Sequence, residues 1–197
     1  MTPKQQRGAE TADRLLDAAL QVYAEAGEQG VTVSALTRAS GVSLGSMYHH
    51  FGSVDGLMDA LLTRWLTRLL GELTAALERS RTARTGIRAV VQTYLGFVEE
   101  HPDAARLLHS SYADRMNMAQ ARQVRDAQEA RLSPVAAWVD GRIAAGELVA
   151  LPLPLIEGLI LGPVVATARR HLSGLDDVDL AQAARVLPDR IWRSLAP

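Results

Sequence analysis

Residues 32–51 constrain the fold more than any other part of the chain. Their sequence, TVSALTRASGVSLGSMYHHF, contains two short amphipathic stretches with Gly41 between them. Thr32 and Ser43 are typical N-cap residues, and glycine can adopt the positive φ that ends a helix sharply. The pattern predicts two short helices joined by a tight turn, which is the arrangement of a helix-turn-helix.

Three apolar residues of this segment, Leu36, Val42 and Met47, are spaced so that they can meet between the two helices. The face of the second helix that stays exposed then carries Leu44, Gly45, Ser46, Tyr48 and His49. Hydroxyl and imidazole groups on such a face can bond phosphates or base edges of DNA. A helical domain could also carry residues 48–51 purely for packing, and Thr32 and Ser43 could serve only as helix caps.

The rest of the chain shows helical spacing of apolar residues and no alternating, β-branched strand pattern. Thr11 is a plausible N-cap for the first helix, and Gly27 and Gly30 are suited to end it. The spacing predicts an all-α chain of about nine helices. Outside residues 32–51 they fall at about 10–26, 54–80, 85–100, 103–112, 118–145, 155–172 and 179–195.

Composition excludes several classes of protein. The 197 residues, 48% of them hydrophobic, can bury a core, and the absence of cysteine rules out disulfides and thiolate metal sites. The start of the chain is polar, and the most apolar stretch, residues 151–168, is broken by three prolines and Glu157. We therefore expect a cytoplasmic protein with no membrane span.

No set of residues indicates catalysis or a cofactor. His101 and His109 lie on either side of Pro102 with Asp103 nearby, but no further ligand stands at a telling spacing. The adjacent His49 and His50 point about 100° apart on a helix, so they cannot chelate one ion together. We expect no catalytic residue, metal or cofactor and no enzyme activity, with an all-α enzyme as the alternative from another class.

The segment from about residue 9 to residue 59 resembles the DNA-binding domain of the TetR family of transcriptional regulators. The resemblance lies in an ordered series of motifs: LLDAA followed by Gly27, then ASGVS at 39–43, GSMYHHF at 45–51 and DGL at 55–57. It implies an N-terminal three-helix DNA-binding domain, residues 1–53, and a helical effector-binding and dimerisation domain, residues 54–197. It also implies a repressor that binds a palindromic operator as a homodimer and is released by a small molecule.

Carried over position by position, the resemblance assigns contacts with operator DNA to the residues of the helix-turn-helix. Thr32 and Ser43 fall at phosphate-binding helix starts, and Arg38 falls where some members reach a phosphate. Contacts to the DNA backbone and bases fall on Ser46, Tyr48 and His50, with Gly45 beside them. Leu44 and His49 fall at variable positions that set sequence specificity.

Two departures from the family concern charge. Leu44 stands where a lysine or arginine is common, and Val54 stands where a phosphate-contacting lysine is usual. Residues 1–60 contain four lysines and arginines against seven aspartates and glutamates. We therefore expect a modest salt dependence, and either weak DNA affinity or reliance on Lys4 and Arg7 in a flexible N-terminal arm.

The second half of the chain contains two strongly apolar helical stretches that predict a dimer. Gly158 and Gly162 are four residues apart, so one helix face can approach another helix closely. A helix that is apolar on nearly all sides must be buried, and a symmetric interface would bury it. An intramolecular core is the alternative. The predicted interface residues are Gly158, Leu159, Gly162, Val165, Leu187 and Ile191.

Large side chains on the middle helices are candidates for an effector pocket, because the family encloses its ligands there. For each of them, plain core is the favoured alternative to a ligand contact. Few cationic residues are clearly inward-facing, which favours an apolar or aromatic, weakly charged effector. An activator, or a regulator that responds to a protein partner, stays open as an alternative. The candidate pocket residues are Leu62, Trp65, Tyr94, Phe97, Leu108, Tyr112, Met116 and Trp138.

Overall fold

The computed structural model describes residues 3–115, 134–175 and 177–197, and these residues contain helices and no strand. The all-α prediction is confirmed, and residues 111–115 are helical as well. The predicted helix at 118–145 is described only from residue 134 onward. The helices are α1 (Pro3–Gly30), α2 (Val33–Ser40), α3 (Leu44–Phe51), α4 (Val54–Glu78), α5 (Ala83–Glu100), α6 (Pro102–Leu108), α7 (Pro134–Ala144), α8 (Leu153–Leu172) and α9 (Leu180–Leu195).

The chain divides into two compact units. The first comprises Met1–Thr67 and Arg106–Asn117, and the second comprises Arg68–Ala105 and Met118–Pro197. The first part of α4 therefore packs with the N-terminal helices, beyond the predicted boundary between residues 53 and 54. The assignment of effector binding and dimerisation to residues 54–197 stays a prediction.

The first unit is built around a small apolar core. Leu36 and Met47 are 0% exposed and Val42 is 6% exposed, which confirms that these three residues meet between α2 and α3. Burying side chains of this size stabilises the fold by about 1.5–3 kcal/mol each. The core comprises Leu15, Leu16, Ala19, Val22, Val31, Leu36, Val42, Met47, Leu57, Met58, Leu61, Leu62, Leu107 and Ala113.

Helix α1 is longer than the sequence predicts. It begins at Pro3, and the Thr11 hydroxyl donates to the backbone carbonyl of Arg7, 2.8 Å away, from inside the helix. Thr11 is therefore not the N-cap. Because the first turn is helical, Lys4 and Arg7 belong to α1 and not to a flexible arm. Gly27 has φ 67°, which interrupts the helix near the predicted end.

Residues 106–115 pack with the first unit through polar contacts as well as apolar ones. The Tyr112 hydroxyl donates to the carboxylate of Asp59, and Arg115 Nη2 lies 2.6 Å from Glu28 Oε1. The Arg115 guanidinium also lies over the Tyr112 ring, 5.5 Å from its centroid. Burial, reinforced by Asp59, raises the pKa of the Tyr112 hydroxyl, so it stays a hydrogen-bond donor at neutral pH.

The second unit packs α5 against α8 and α9. The buried side of α5 includes Ile87, Val91 and Leu95, each at most 1% exposed. Helix α8 has one buried face, whereas Leu155 and Leu159 on its other side are 56% and 37% exposed. Among the described residues, no helix combines the length and apolarity needed to cross a membrane.

A charged pair joins the end of α7 to the α4–α5 loop and the start of α5 in the second unit. Arg142 Nη1 lies 2.9 Å from Glu147 Oε1, and its guanidinium also donates to the carbonyls of Ser80 and Arg81 in the loop that follows α4. The Glu147 carboxylate accepts a 2.6 Å hydrogen bond from the backbone N–H of Ala83, the first residue of α5. That bond, with Arg142 beside it, lowers the pKa of the Glu147 carboxyl. The pair thus satisfies an N–H group that the start of α5 leaves open and two carbonyls of the α4–α5 loop.

The Trp138 indole lies directly against the backbone of α5. A Cβ atom at Gly86 would lie 2.6 Å from Cη2 of Trp138 and closer still to Cζ2. The Arg142 guanidinium lies over the indole, 5.4 Å from the ring centroid. Only a residue without a side chain fits beneath the ring, so Gly86 sets the distance between α5 and α7.

We expect Gly86→Ala to lower the free energy of unfolding by about 1–3 kcal/mol, because the methyl group overlaps the Trp138 ring. Urea denaturation of the full chain measures the loss. Gly96→Ala is the matched control, since it lies on the same helix and its Cβ would meet nothing within 4 Å. Gly96→Ala should be neutral or stabilising by about 0.5–1 kcal/mol, and equal losses in both variants would contradict the close-approach argument.

Candidate nucleic-acid interface and ligand cavity

A left-handed glycine joins α2 to α3. Gly41 has φ 64° and ψ 14°, and its N–H donates to the carbonyl of Thr37 at 3.0 Å. The Ser40 hydroxyl donates to the carbonyl of Leu36 at 2.7 Å and accepts from the N–H of Val42 at 3.1 Å. The turn is therefore bonded on both sides of Gly41, which fixes the direction in which α3 leaves it.

Both helices of the motif begin with a side-chain cap. Thr32 Oγ1 accepts from the N–H of Ala35 at 3.2 Å, and Ser43 Oγ accepts from the N–H of Ser46 at 3.3 Å. The predicted caps are confirmed. A hydroxyl that accepts a hydrogen bond still has its own hydrogen to donate, so capping is compatible with a phosphate contact at the same residue.

One face of α3 is buried and the other is open. Met47 is 0% exposed, whereas Leu44 and Tyr48 are each 47% exposed and lie one turn apart. His49 and Gly45 are exposed, and Ser46 and His50 are half-buried. Thr32, Arg38 and Ser43 are also exposed, so each of the nine predicted DNA-binding residues keeps at least part of its surface open.

The exposed face of α3 carries little positive charge. Helix α3 contains no lysine or arginine, and Arg38 is the cationic residue of α2. The rings of His49 and His50 meet edge to face with centroids 5.4 Å apart. Within the described part of the chain, no group of three His, Asp or Glu side chains could hold a metal ion. The chemistry available on this face is hydrogen bonding and apolar contact.

The predicted dimer residues lie on α8 and α9 with different exposure. Gly158, Leu159 and Gly162 are exposed, and Val165 and Leu187 are half-buried. Ile191 is only 3% exposed and belongs to the interior of the second unit. A shallow groove runs between the two helices and is lined by Gly158, Leu159, Pro163, Leu187, Arg190, Ile191 and Ser194.

The second unit also contains a small apolar cavity of about 40 Å³ that is partly open to solvent. Burial raises the pKa of the Glu157 carboxyl, the one charged group among the described residues of the lining. The Trp138 Nε1–H is buried and has no hydrogen-bond acceptor among the described residues. The cavity is lined by Leu73, Leu77, Ile87, Val90, Val135, Trp138, Val139, Glu157, Ile160 and Leu161.

Of the predicted pocket residues, Trp138 lines this cavity. Tyr94 and Phe97 are buried elsewhere in the second unit, and burial raises the pKa of Tyr94 to about 12. Met116 lies outside the described residues. The remaining four pack in or against the core of the first unit: Leu62, Trp65, Leu108 and Tyr112.

Sequence analysis missed two residues of the cavity region. Glu157 is the one charged residue between positions 151 and 168, and an acidic group in such an apolar run is a signal for a functional site. Gly86 is the fourth residue of α5 and follows a polar stretch, so the sequence gives no signal for its contact with Trp138.

Comparison with known proteins identifies the fold and the family. Residues 15–61 match the model for "Bacterial regulatory proteins, tetR family". The transcriptional regulator BetI from Burkholderia mallei is 30% identical over 173 residues, which cover 71% of this chain and 83% of that protein. The nucleoid occlusion factor SlmA from Actinobacillus pleuropneumoniae is 32% identical over 84 residues, 43% of this chain. The match spans only 42% of the length of SlmA.

Solved structures share the fold over nearly the whole chain. The transcriptional regulator FadR from Bacillus subtilis, determined in complex with stearoyl-CoA, superimposes with a TM-score of 0.76. The superposition covers 90% of this chain and 96% of FadR at 17% sequence identity. At that identity the likeness extends to the fold alone.

We expect Gly41→Val to loosen the turn, because a β-branched residue is strained by about 1–2 kcal/mol in the left-handed region. Hydrogen exchange of the α2 and α3 amides should become roughly tenfold faster. Gly41→Asn is the control, since asparagine tolerates this conformation and should change exchange much less. Equal protection in both variants would show that the backbone conformation of residue 41 is not what holds the turn.

Proposed function

Because the chain belongs to the TetR family of bacterial regulatory proteins, we propose that it is a repressor that binds a palindromic operator as a homodimer and releases it when a small molecule binds. One observation carries the proposal: Tyr48 and Leu44 stand exposed on a helix that the fully buried Met47 anchors from the other side. A helix anchored in this way can be presented to the major groove of DNA as a rigid element.

The positions of the side chains suit them to different contacts with DNA. Thr32 and Ser43, at the starts of α2 and α3, are suited to donate to phosphates, where the helix macrodipole also favours an anion. Ser46, Tyr48 and His50 contact the DNA backbone and bases. Arg38 adds one cationic phosphate contact, and Gly45 leaves room for the backbone of α3 to approach the duplex.

Leu44 and His49 would determine which operator sequence the protein recognises. Leucine offers only apolar contact, which suits the methyl group of thymine, whereas an imidazole can bond a base edge. With so few cations, binding depends more on these direct contacts than on counterion release. The operator should therefore be recognised with a shallow salt dependence.

The exposed apolar face of α8 and α9 supports the homodimer. Leu155, Leu159 and Val186 are 37–56% exposed, which is unusual for three large aliphatic side chains on neighbouring helices. The Cβ positions of Gly158 and Gly162 face open space, so a helix of a second copy can approach closely. A second copy places two α3 helices about a two-fold axis, and such a pair reads a palindrome.

The cavity beside Trp138 is the proposed effector site. It is apolar and concave, as small-molecule sites generally are, but at about 40 Å³ it has to widen before it can hold a ligand of ordinary size. The ligand in FadR supports small-molecule binding within this fold. An effector releases the operator to the extent that it binds the free conformation of the dimer more tightly than the DNA-bound one.

In-vitro selection against a random duplex library tests DNA recognition first. We expect the wild-type chain to enrich one palindrome with two half-sites. Tyr48→Ala should weaken binding to that sequence roughly 10- to 100-fold, because each base or backbone contact contributes about 1–3 kcal/mol. Circular dichroism of the Tyr48→Ala variant should show an unchanged fold.

Leu175→Ala is the matched control for Tyr48→Ala, since Leu175 is 57% exposed in the second unit. It should bind the selected sequence as the wild type does. No enriched sequence from a folded wild-type dimer, or full binding by Tyr48→Ala, would contradict the proposed interface.

Leu159→Glu tests the dimer by placing a charge on the proposed contact face. We expect the dissociation constant of the dimer to rise at least about a hundredfold, because an unpaired carboxylate would be buried. Sedimentation equilibrium measures the constant. Leu70→Glu is the control, since Leu70 is 47% exposed on α4. A dimer that survives Leu159→Glu unchanged would place the interface elsewhere.

A further inference from the structure

The first unit exposes large apolar side chains on its α3 helix. Among the described residues of that unit, the large hydrophobic side chains that stand open to solvent are Leu44 and Tyr48, each 47% exposed. They are four residues apart, so they lie about 40° from each other around the helix. The Cβ position of Gly45 beside them faces open space. The two side chains therefore form one accessible surface, the Leu44–Tyr48 patch.

The start of α3 holds this patch in a defined position. Ser43 Oγ accepts from the N–H of Ser46 at 3.3 Å, which makes Leu44 the first residue of the helix. Met47, in the same first turn, is 0% exposed and packs into the core of the unit. In a helix-turn-helix, the first residues of the second helix are the ones that meet base edges in the major groove. Leu44 is fixed at that place.

The chemistry of leucine limits what Leu44 can recognise there. Its side chain neither donates nor accepts a hydrogen bond, so it cannot distinguish bases by their hydrogen-bonding groups. The apolar group that the major groove presents is the C5-methyl of thymine. The same methyl is present in 5-methylcytosine, whereas cytosine and uracil carry a hydrogen atom at that carbon. An apolar contact therefore reads the methyl group in either base pair.

We propose that the Leu44–Tyr48 patch binds the C5-methyl group of one pyrimidine in each operator half-site, so that the protein distinguishes methylated from unmethylated DNA at that position. Thymine fills the site in ordinary DNA, 5-methylcytosine can replace it, and cytosine and uracil leave it empty. The inference rests on the proposed function, because it specifies the chemical group that the DNA interface reads.

The low charge of the interface gives this contact weight. Helix α3 contains no lysine or arginine, and Arg38 is the cationic residue of α2. With few phosphate contacts, counterion release supplies less of the affinity and direct contacts supply more. Removing one methyl group from an apolar contact lowers affinity about fourfold, and changing both half-sites of a palindrome lowers it about fifteenfold.

A protein partner is the alternative occupant of the patch, and it fits less well. Two side chains offer far less surface than the roughly 800 Å² per partner that a stable protein interface buries. Ser43 and His49, which border the patch in the sequence, are exposed polar side chains. Such groups suit the phosphates and base edges that surround a methyl group in DNA.

Fluorescence anisotropy with the operator selected in vitro tests the proposal on the full-length chain. Each thymine of the half-site, on either strand, is replaced in turn by deoxyuridine in both half-sites, which removes only the methyl group. We expect one position at which affinity falls about fifteenfold. At that position a 5-methylcytosine duplex should bind more tightly than the cytosine duplex by a similar factor.

Three results would overturn the proposal. They are an enriched half-site that lacks thymine, deoxyuridine duplexes that all bind as tightly as the parent, and no gain in affinity from methylation of cytosine at the sensitive position.

Leu44→Ala identifies the residue that reads the methyl group. Because Leu44 is half-exposed, the variant should keep its fold by circular dichroism. Thymine and uracil duplexes should then bind with the same affinity. Arg38→Gln is the matched control, since losing one cation should weaken all duplexes and leave the thymine-to-uracil ratio at its wild-type value. A thymine preference that survives Leu44→Ala would also overturn the assignment.

The selection experiment distinguishes failure of this inference from failure of the proposed function. A dimer that selects a palindrome but ignores the methyl group loses only the methyl contact. A folded chain that selects no DNA loses the repressor function, and the methyl site with it.

Discussion

Burial of Leu36 and Met47 in one apolar core is the interaction on which the candidate DNA interface depends. Both side chains are fully buried, and each comes from a helix of only eight residues. Helices of that length are not stable alone, because too few backbone hydrogen bonds offset the cost of nucleation. The core therefore holds α2 and α3 in shape, and it decides which side of α3 faces outward. Side-chain caps and the left-handed Gly41 then set where each helix starts and ends.

The second unit uses a different means of fixing its helices. Apolar burial dominates along α5, but the Arg142–Glu147 pair joins the end of α7 to the α4–α5 loop and to the start of α5 through hydrogen bonds. Gly86 allows the Trp138 ring to reach the α5 backbone. These contacts hold Trp138 in place, and the Trp138 ring forms one wall of the cavity. Because the space is only about 40 Å³, a ligand of ordinary size has to displace these neighbours, which adds to the cost of binding.

Much of the fold was predictable from local patterns, and the helix-turn-helix most of all. Thr32, Ser43 and Gly41 act through partners within four residues, so their effects can be read from sequence spacing. The start of α1 was missed although a proline such as Pro3 is common at the first helical position, because Thr11 also resembles an N-cap and only its hydrogen bond to Arg7 shows that it lies inside the helix. The residues that line the cavity were harder to predict than the helix boundaries. Leu62, Trp65, Leu108 and Tyr112 are as apolar or aromatic as true cavity residues, and only tertiary packing distinguishes the two groups.

Because residues 106–115 pack into the first unit, they limit where the chain can be divided to join its DNA-binding unit to another domain. Leu107 and Ala113 are almost fully buried in the same core as Leu36, although some fifty residues of chain separate them from α4's first turn. A fragment ending at residue 67 would expose the surface that these residues cover and would lose the Tyr112–Asp59 hydrogen bond. A chimaera that joins this DNA-binding unit to a foreign effector domain must therefore carry two separate stretches of the chain, and a gene fusion at a single junction would leave the N-terminal unit incomplete.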